Sequence, residues 1–130
     1  MRILVTGGSG FIGSHFIRNH LKYHPQDEIV NLDKLTYAGR KENLLDVEKN
    51  PHYTFVHGDI CDPVAVEHAM KGCEQVVHFA AETQVDKAIV DPSLFLKTNV
   101  MGTYTLLEQA RKQNIKKFVN IYTDEVYGHI

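Results

Sequence analysis

The chain has 130 residues, of which 43% are hydrophobic and 23% are charged, and its formal net charge is -2. This balance predicts one soluble domain with one core. It excludes the basic stripe of a nucleic-acid-binding protein and the long apolar run of a membrane span. The two cysteines, Cys61 and Cys73, form no CxxC pair and the N-terminus has no signal-peptide pattern, which favours free thiols in the cytoplasm.

Apolar runs alternate with segments of helical periodicity along the whole chain. The runs are continuous rather than alternating, which is typical of strands buried on both faces of a parallel sheet. Five such strands are predicted, at 2–6, 28–33, 53–59, 75–81 and 116–122. The helical segments between them predict an α/β fold with a doubly wound parallel sheet, a Rossmann-like domain over 1–130.

Capping residues mark the helices between these strands. The first helix is predicted over 10–23, ahead of Pro25. Asp62 is placed to cap a second helix, which has Pro63 at its first position and ends at Gly72. The other connections are predicted as a loop with a short helix, a polar loop, and a long helix capped by Ser93, over 36–50, 82–92 and 93 to about 113.

Three glycines lie in the first strand-to-helix turn, in the pattern Gly7-x-x-Gly10-x-x-Gly13. The first permits the tight turn, the second lets a pyrophosphate approach the backbone, and the third lets the helix pack closely on the sheet. The helix N-terminus then presents N–H groups and a positive dipole end to phosphates. A glycine-rich turn without a ligand is the alternative, but the flanking strand and helix favour dinucleotide binding.

Acidic and small residues end the next three strands. Asp33 lies where a carboxylate can bind the ribose diol of an adenosine and repel a 2′-phosphate, which favours NAD over NADP. The nearby Lys34 and Arg40 weaken this preference. Asp59 either reaches the adenine or is a simple strand-end acid. The Phe-Ala-Ala sequence at 79–81 would let a cofactor lie close to the fourth strand.

A hydroxyl and two carboxyl groups follow the fifth strand, as Thr123, Asp124 and Glu125. In an open parallel sheet, ligands bind beyond the carboxyl ends of the strands, so these residues are expected near the reactive end of the cofactor. Two carboxyl groups in one cleft can divide into an acid and a base when their environments differ. From the residues alone, an acid pair that caps a turn is an equal alternative.

Six segments occur in an order that one family of enzymes shares: TGGSGFIG, NLDKLTYAG, HGDICD, HFAAETQVDKAI, KTNVMGTYTLLEQAR and YTDEVYG. With these segments the chain resembles the dTDP-glucose 4,6-dehydratases, nucleotide-sugar lyases of the extended short-chain dehydrogenase/reductase family. The resemblance covers essentially the whole chain. The glycine motif is common to the superfamily, whereas DKLTYAG and TDEVYG are specific to the dehydratases.

The resemblance implies NAD-dependent dehydration of a nucleotide-activated hexose, dTDP-glucose, to the 4-keto-6-deoxy sugar, in deoxysugar biosynthesis and by a homodimer. Hydride leaves sugar carbon 4 and returns to carbon 6, which requires a tightly held NAD. By resemblance Asp124 is the acid, Glu125 is the base, and Thr123 and Thr83 bind the substrate. Besides the three glycines, the residues that map onto cofactor contacts are Phe11, Ile12, Asp33, Lys34, Leu35, Thr36, Asp59, Ile60, Phe79, Ala80, Ala81, Glu82, Thr83 and Thr98.

The sequence departs from the family pattern in several places. Thr83 and Gln84 stand where the family has Ser and His, and Tyr122 replaces a small hydroxyl residue. The family's Tyr-x-x-x-Lys pair, whose Tyr takes the proton of the carbon 4 hydroxyl, is expected beyond Ile130; its one match, at 37–41, lies on the adenosine side. The chain is therefore predicted to be the NAD-binding part of a dehydratase, without the C-terminal substrate domain and inactive in isolation.

Two alternatives to a dehydratase stay open. One is a stand-alone NAD-binding module without catalysis, and the other is a related UDP- or GDP-sugar dehydratase or an epimerase. The TDEVYG segment argues against the epimerase. The eight histidines show no metal-binding spacing, so no metal site is predicted.

Overall fold

The structure is a computed structural model that describes residues 1–36, 39–82 and 85–128 and, within these ranges, the side chains of all but residues 85–87 and 125. The strands are β1 (Arg2–Thr6), β2 (Glu28–Asp33), β3 (Tyr53–His57), β4 (Gln75–His78) and β5 (Lys117–Asn120). The helices are α1 (Phe11–Tyr23), α2 (Pro63–Met70), α3 (Val85–Val90), α4 (Ser93–Phe95) and α5 (Thr103–Lys112), with a π-helical segment (Leu96–Gly102) between α4 and α5. Short 3-10 turns lie at Lys41–Leu44 and Asp124–Tyr127.

The five strands form one parallel sheet in the order β3-β2-β1-β4-β5. Residues of α1 and of the turn at Lys41–Leu44 pack on one face, and residues of α2 and α5 pack on the other. The strand order reverses between β1 and β4, so the carboxyl ends of these strands form the crevice where such sheets bind ligands. The predicted doubly wound parallel sheet is confirmed.

The central strands contribute to the cores on both faces of the sheet. In β1, Leu4 packs with residues of α2 and α5, whereas Ile3 and Val5 pack with residues of α1. In β4, Val76 and Val77 divide between the two cores in the same way. Burying each such side chain contributes about 1.5–3 kcal/mol, which explains why these strands are continuously apolar.

The last three strands end earlier than predicted. The predictions placed the ends at 59, 81 and 122, whereas the strands end at His57, His78 and Asn120. Phe79 shows the reason, because its ring packs against Phe16 at a centroid distance of 5.5 Å although it lies beyond the ladder. An apolar run therefore marks buried chain, not the residue at which the chain leaves the sheet.

The segment 82–92 was wrongly predicted to be only a polar loop, because it contains α3. Ser93 was also wrongly predicted as a cap, since it is the first residue of α4 and its N–H donates to Asp91 Oδ1 at 3.1 Å. The predicted Asp62 cap is confirmed by its bond from Val64 N–H at 3.0 Å. An Asp-Pro pair lies at the start of each helix, and in each pair the Asp carboxylate accepts the N–H two residues on.

Several simple features of the described ranges bear on function. None of the helices in them is long and apolar enough to cross a membrane. The described residues also contain no group of three or more His, Cys, Asp or Glu side chains that could hold a metal ion. Cys61 and Cys73 are both free thiols, and burial raises the pKa of each.

Candidate functional site

The turn after β1 is fixed to β2 by three consecutive N–H groups. The bonds are Gly7 N–H to the Leu32 carbonyl oxygen at 3.0 Å, Gly8 N–H to Asn31 Oδ1 at 2.9 Å, and Ser9 N–H to Asp33 Oδ2 at 2.9 Å. These three donors face the protein, so a ligand cannot use them. They hold the turn in one shape before any ligand arrives.

The first turn of α1 has N–H groups that no acceptor in the described part of the chain occupies. Gly10 is the N-cap, and it has no side chain to accept hydrogen bonds from the N–H groups of Phe11, Ile12 and Gly13. The first turn also contains no acidic residue. Open donors at the positive end of a helix dipole form an anion site, and the side chains of Phe11 and Ile12 are exposed around it.

Two of the three motif glycines lie so close to neighbouring backbone atoms that no side chain would fit there. Gly7 has a φ of +69°, and a Cβ atom on it would lie 2.7 Å from the backbone N and Cα of Ala80. A Cβ atom on Gly13 would lie 2.5 Å from the carbonyl oxygen of Gly7. The glycines therefore let the turn, the helix and the end of β4 converge at the crevice.

The ends of β2 and β3 form a carboxylate pocket beside this turn. Asp33 is buried, and its Oδ1 accepts the N–H of Leu35 at 2.7 Å, which leaves lone pairs on both oxygens for ribose hydroxyls. Lys34 Nζ lies 3.1 Å from Asp59 Oδ2. Burial opposes ionisation of Asp59, but the N–H of Cys61 and the ammonium of Lys34 outweigh it, so the pKa of Asp59 is below its ordinary value.

The segment after β4 has one unpaired buried oxygen. Ala80 lies against Gly7, and Glu82 is 7% exposed. Oε2 of Glu82 is buried and has no hydrogen-bond partner in the described part of the chain. Because a buried acceptor without a partner is costly, this oxygen is suited to a ligand hydroxyl or amide.

A hydrogen-bonded network fixes this segment to the helix that follows. His78 Nδ1 lies 2.6 Å from Thr6 Oγ1, and His78 Nε2 lies 3.0 Å from Thr103 Oγ1. The Thr103 hydroxyl donates to the carbonyl oxygen of Asn99, whose side-chain amide bonds both backbone groups of Glu82. The Thr103 donation assigns the His78 proton to Nε2, and burial lowers the pKa of His78 to about 4.

The residues after β5 complete the carboxyl edge of the sheet. Thr123 and Asp124 are exposed, and the turn that contains them closes through the N–H of Val126 and the carbonyl oxygen of Thr123 at 3.3 Å. The side chain of Glu125 is outside the described residues. Since all five strands are parallel, Thr123 and Asp124 lie on the same edge of the sheet as Gly7, Asp33 and the end of β4.

Other predicted contacts occupy different surroundings. The side chain of Ile60 is buried in the core against Gly102, so it is not available to a cofactor at the edge of the sheet. Thr36 is exposed and Thr98 is half-buried in the π-helical segment.

The predicted substrate contact Thr83 is outside the described residues, and so is Gln84. Tyr37, the first residue of the Tyr-x-x-x-Lys match at 37–41, is also outside them. The Lys of that match, Lys41, lies over the Phe55 ring of β3, far along the sheet order from β5.

Reasoning from the sequence missed the polar residues that support this edge. They are Ser9, Asn31, His78, Asn99 and Thr103. A signal was available for two of them, since Asn31 and His78 are the polar exceptions inside the apolar runs EIVNLD and QVVHFAA. A buried polar residue in a central strand must have partners: those of Asn31 lie in the glycine turn and on β3, and those of His78 lie on β1 and α5.

The sheet order, the glycine turn and the strand-end carboxylate define a Rossmann-like domain of the nucleotide-binding class. Residues 4–130 match the family model described as GDP-mannose 4,6 dehydratase. The chain therefore belongs to this family of nucleotide-sugar dehydratases.

Individual relatives are similar over the whole chain. It is 48% identical to dTDP-glucose 4,6-dehydratase 1 of Escherichia coli K12, and the aligned region is 100% of the chain and 39% of that protein. It is 49% identical to the dTDP-glucose 4,6-dehydratase DesIV of Streptomyces venezuelae, whose structure was solved with NAD and TYD bound. The two structures superpose with a TM-score of 0.94, and the match covers 100% of this chain and 42% of the DesIV chain.

A UDP-glucose 4-epimerase shares the fold at a lower identity. The enzyme of Thermus thermophilus, solved with NAD, is 35% identical, with a TM-score of 0.79 over 91% of this chain and 36% of the other. The chain thus spans about two fifths of the length of the curated relatives that it matches first.

Proposed function

We propose that the chain binds NAD across the carboxyl edge of β1, β2 and β4. The open N–H groups of Phe11, Ile12 and Gly13 would hold the pyrophosphate, and Asp33 would hold the adenosine ribose. The unpaired Oε2 of Glu82 offers an acceptor further along the crevice. The solved relatives that contain NAD support this choice of cofactor.

The charges around the ribose pocket support NAD rather than NADP. Asp33 would face a 2′-phosphate with a carboxylate. The ammonium of Lys34 is paired with Asp59 at 3.1 Å, so its charge is already partly neutralised. Arg40 is exposed, and its backbone N–H bonds the carbonyl oxygen of Ser9 at 3.0 Å. A Kd for NADP at or below that for NAD would contradict this preference.

The protein that contains this chain acts as a dTDP-glucose 4,6-dehydratase in this proposal. The observation that carries it is the sequence identity of 47–48% to two dTDP-glucose 4,6-dehydratases over the entire chain. The chain also contains the segment TDEVYG. The family model carries a GDP-sugar description, and one solved relative is a UDP-sugar epimerase. Incubation with dTDP-glucose, GDP-mannose and UDP-glucose in parallel tests the assignment, and a preference for either of the last two would contradict it.

The residues after β5 perform the proton transfers in this proposal. Bound NAD supplies the hydride acceptor and donor. Asp124 protonates the leaving hydroxyl on carbon 6, Glu125 removes the proton from carbon 5, and Thr123 and Thr83 bond the sugar hydroxyls. This chain is the NAD-binding part of such an enzyme in this proposal, and it does not supply the Tyr-Lys pair that takes the proton of the carbon 4 hydroxyl.

Replacing Asp124 by asparagine in the natural protein should reduce the rate of dehydration by about 10²- to 10⁴-fold, the usual contribution of a general acid. Oxidation at carbon 4 precedes this proton transfer, so reduced cofactor should accumulate when dTDP-glucose is added. Glu67→Gln, at an exposed position of α2, is the control and should retain the rate. Full activity of Asp124→Asn would remove this residue from the mechanism.

We also propose a homodimer in the cytoplasm. Val100, Tyr104 and Leu107 are exposed on the long helical segment at spacings that place them on one face. The free thiols of Cys61 and Cys73 are consistent with a reducing compartment. A single-chain mass of the natural protein in light scattering at micromolar concentration would exclude the dimer.

A further inference from the structure

We propose that Asn31 is a positioning residue that sets the glycine turn in its pyrophosphate-binding shape, an inference that rests on the proposed binding of NAD. Asn31 is the third residue from the end of β2 and is fully buried. Its neighbours Val30 and Leu32 face one core, whereas Asn31 faces the side of the sheet that α1 covers. An aliphatic residue would be the ordinary choice at this position.

The amide of Asn31 uses its acceptor and both of its donors. Oδ1 accepts the N–H of Gly8 at 2.9 Å, and Nδ2 donates to Ser9 Oγ and to Tyr53 OH, each at 3.1 Å. Two of these three bonds reach the glycine turn and the third reaches β3. Since an uncompensated buried amide is costly, the fit of all three bonds indicates that the turn and the amide require each other.

The limited space around Gly8 also indicates that the turn and the amide of Asn31 require each other. A Cβ atom on Gly8 would overlap both Asn31 Oδ1 and Ile17 Cδ1, so Gly8 is required for contact with the amide. This glycine is separate from the three motif positions. Ser9 is also fully buried, so its hydroxyl meets Asn31 and cannot meet a ligand.

The turn then determines where α1 begins. Gly10 N–H bonds the Gly7 carbonyl oxygen at 3.2 Å, and Ser14 N–H bonds the Gly10 carbonyl oxygen at 2.9 Å. A turn that loses its anchor at Gly8 and Ser9 shifts Gly10 and therefore the open N–H groups that follow it. Affinity for a pyrophosphate depends directly on where these N–H groups lie, whereas affinity for an adenosine depends mainly on the Asp33 carboxylate, which the N–H of Leu35 also holds.

The experiment compares NAD with adenosine in the full 130-residue chain. Asn31→Ala should weaken NAD binding about tenfold or more, whereas adenosine binding should change less than about threefold. Ser9→Ala removes one of the two anchoring bonds without touching β2 and should weaken NAD binding by a smaller factor. Tyr53→Phe is the matched control, because it removes a bond to the same amide but none to the turn, and it should leave the Kd for NAD unchanged.

The outcomes separate this inference from the proposed function. No binding of NAD by the unmodified chain overturns both. If the unmodified chain binds NAD and the alanine variants bind it equally well, the role of Asn31 is overturned while the proposed function stands. Equal losses for NAD and adenosine, or a loss in Tyr53→Phe as large as in Ser9→Ala, would mean that Asn31 supports only the fold. A selective loss of NAD binding supports the inference. If Asn31→Ala does not fold, the result for Ser9→Ala decides the question.

Discussion

Replacing Gly7 by alanine is expected to eliminate measurable NAD binding and to lower the free energy of unfolding by more than about 3 kcal/mol. Backbone strain and a steric clash both contribute to this loss of stability. The left-handed φ of +69° costs an alanine about 1–2 kcal/mol, and the new Cβ atom would lie 2.7 Å from the backbone of Ala80. Because the backbone of Ala80 cannot rotate away as a side chain could, the new Cβ atom would force β1 and the end of β4 apart at the crevice. Urea unfolding and calorimetric titration with NAD measure both losses.

Gly72→Ala is the matched control for this substitution. Gly72 has a φ of +78°, and a Cβ atom on it would meet only Arg2 Cδ, at 3.8 Å. It therefore experiences the backbone strain without the close contact, and it should lose about 1–2 kcal/mol and retain NAD binding. Equal destabilisation of the two variants would show that the contact with Ala80 contributes nothing, which is contrary to the packing of the crevice.

Acid should destabilise the chain through His78. Its pKa is about 4 in the folded chain because of burial, against an ordinary value of 6.5. Between these values the unfolded state binds the proton and the folded state does not. The free energy of unfolding should therefore fall as the pH is lowered from about 6.5 to about 4, by about 3 kcal/mol in total. Urea unfolding at a series of pH values measures this slope.

Substitution of His78 assigns the slope to this group. The described hydrogen-bond and ring partners of His78 are the hydroxyls of Thr6 and Thr103 and the ring of Phe118, and none of these titrates in this range. His78→Gln keeps a polar side chain but no titratable group, so its stability should be lower near pH 7 and should depend less on pH. His68→Gln, at an exposed position, is the control. A wild-type slope in His78→Gln would contradict this assignment.

The doubly wound parallel sheet and the location of the crevice were predictable from the sequence. Each strand is apolar on both faces because each contributes to two cores, and Gly7 and Asp33 mark the ends of the first two strands. Local chemistry also placed the cap at Asp62 correctly. These features depend on neighbours in the sequence or on burial, both of which a pattern of residues records.

The supporting contacts of the site were not predictable in the same way. Asn31 and Ser9 are separated by 22 residues, and His78 and Thr103 by 25, so these bonds depend on how the elements pack. The misplaced ends of β3, β4 and β5 have a similar cause, because apolar residues such as Phe79 remain buried beyond the ladder. Tertiary packing, rather than local propensity, determines these details.

A crystal structure of the natural protein with NAD would test the proposed binding at this edge most directly. We expect diphosphate oxygens within about 3.2 Å of the N–H groups of Phe11, Ile12 or Gly13, and the adenosine ribose bonded to Asp33. We also expect the N–H groups of Gly8 and Ser9 to keep their bonds to Asn31 and Asp33. A diphosphate held elsewhere, with the first turn of α1 facing only solvent, would contradict NAD binding at this turn.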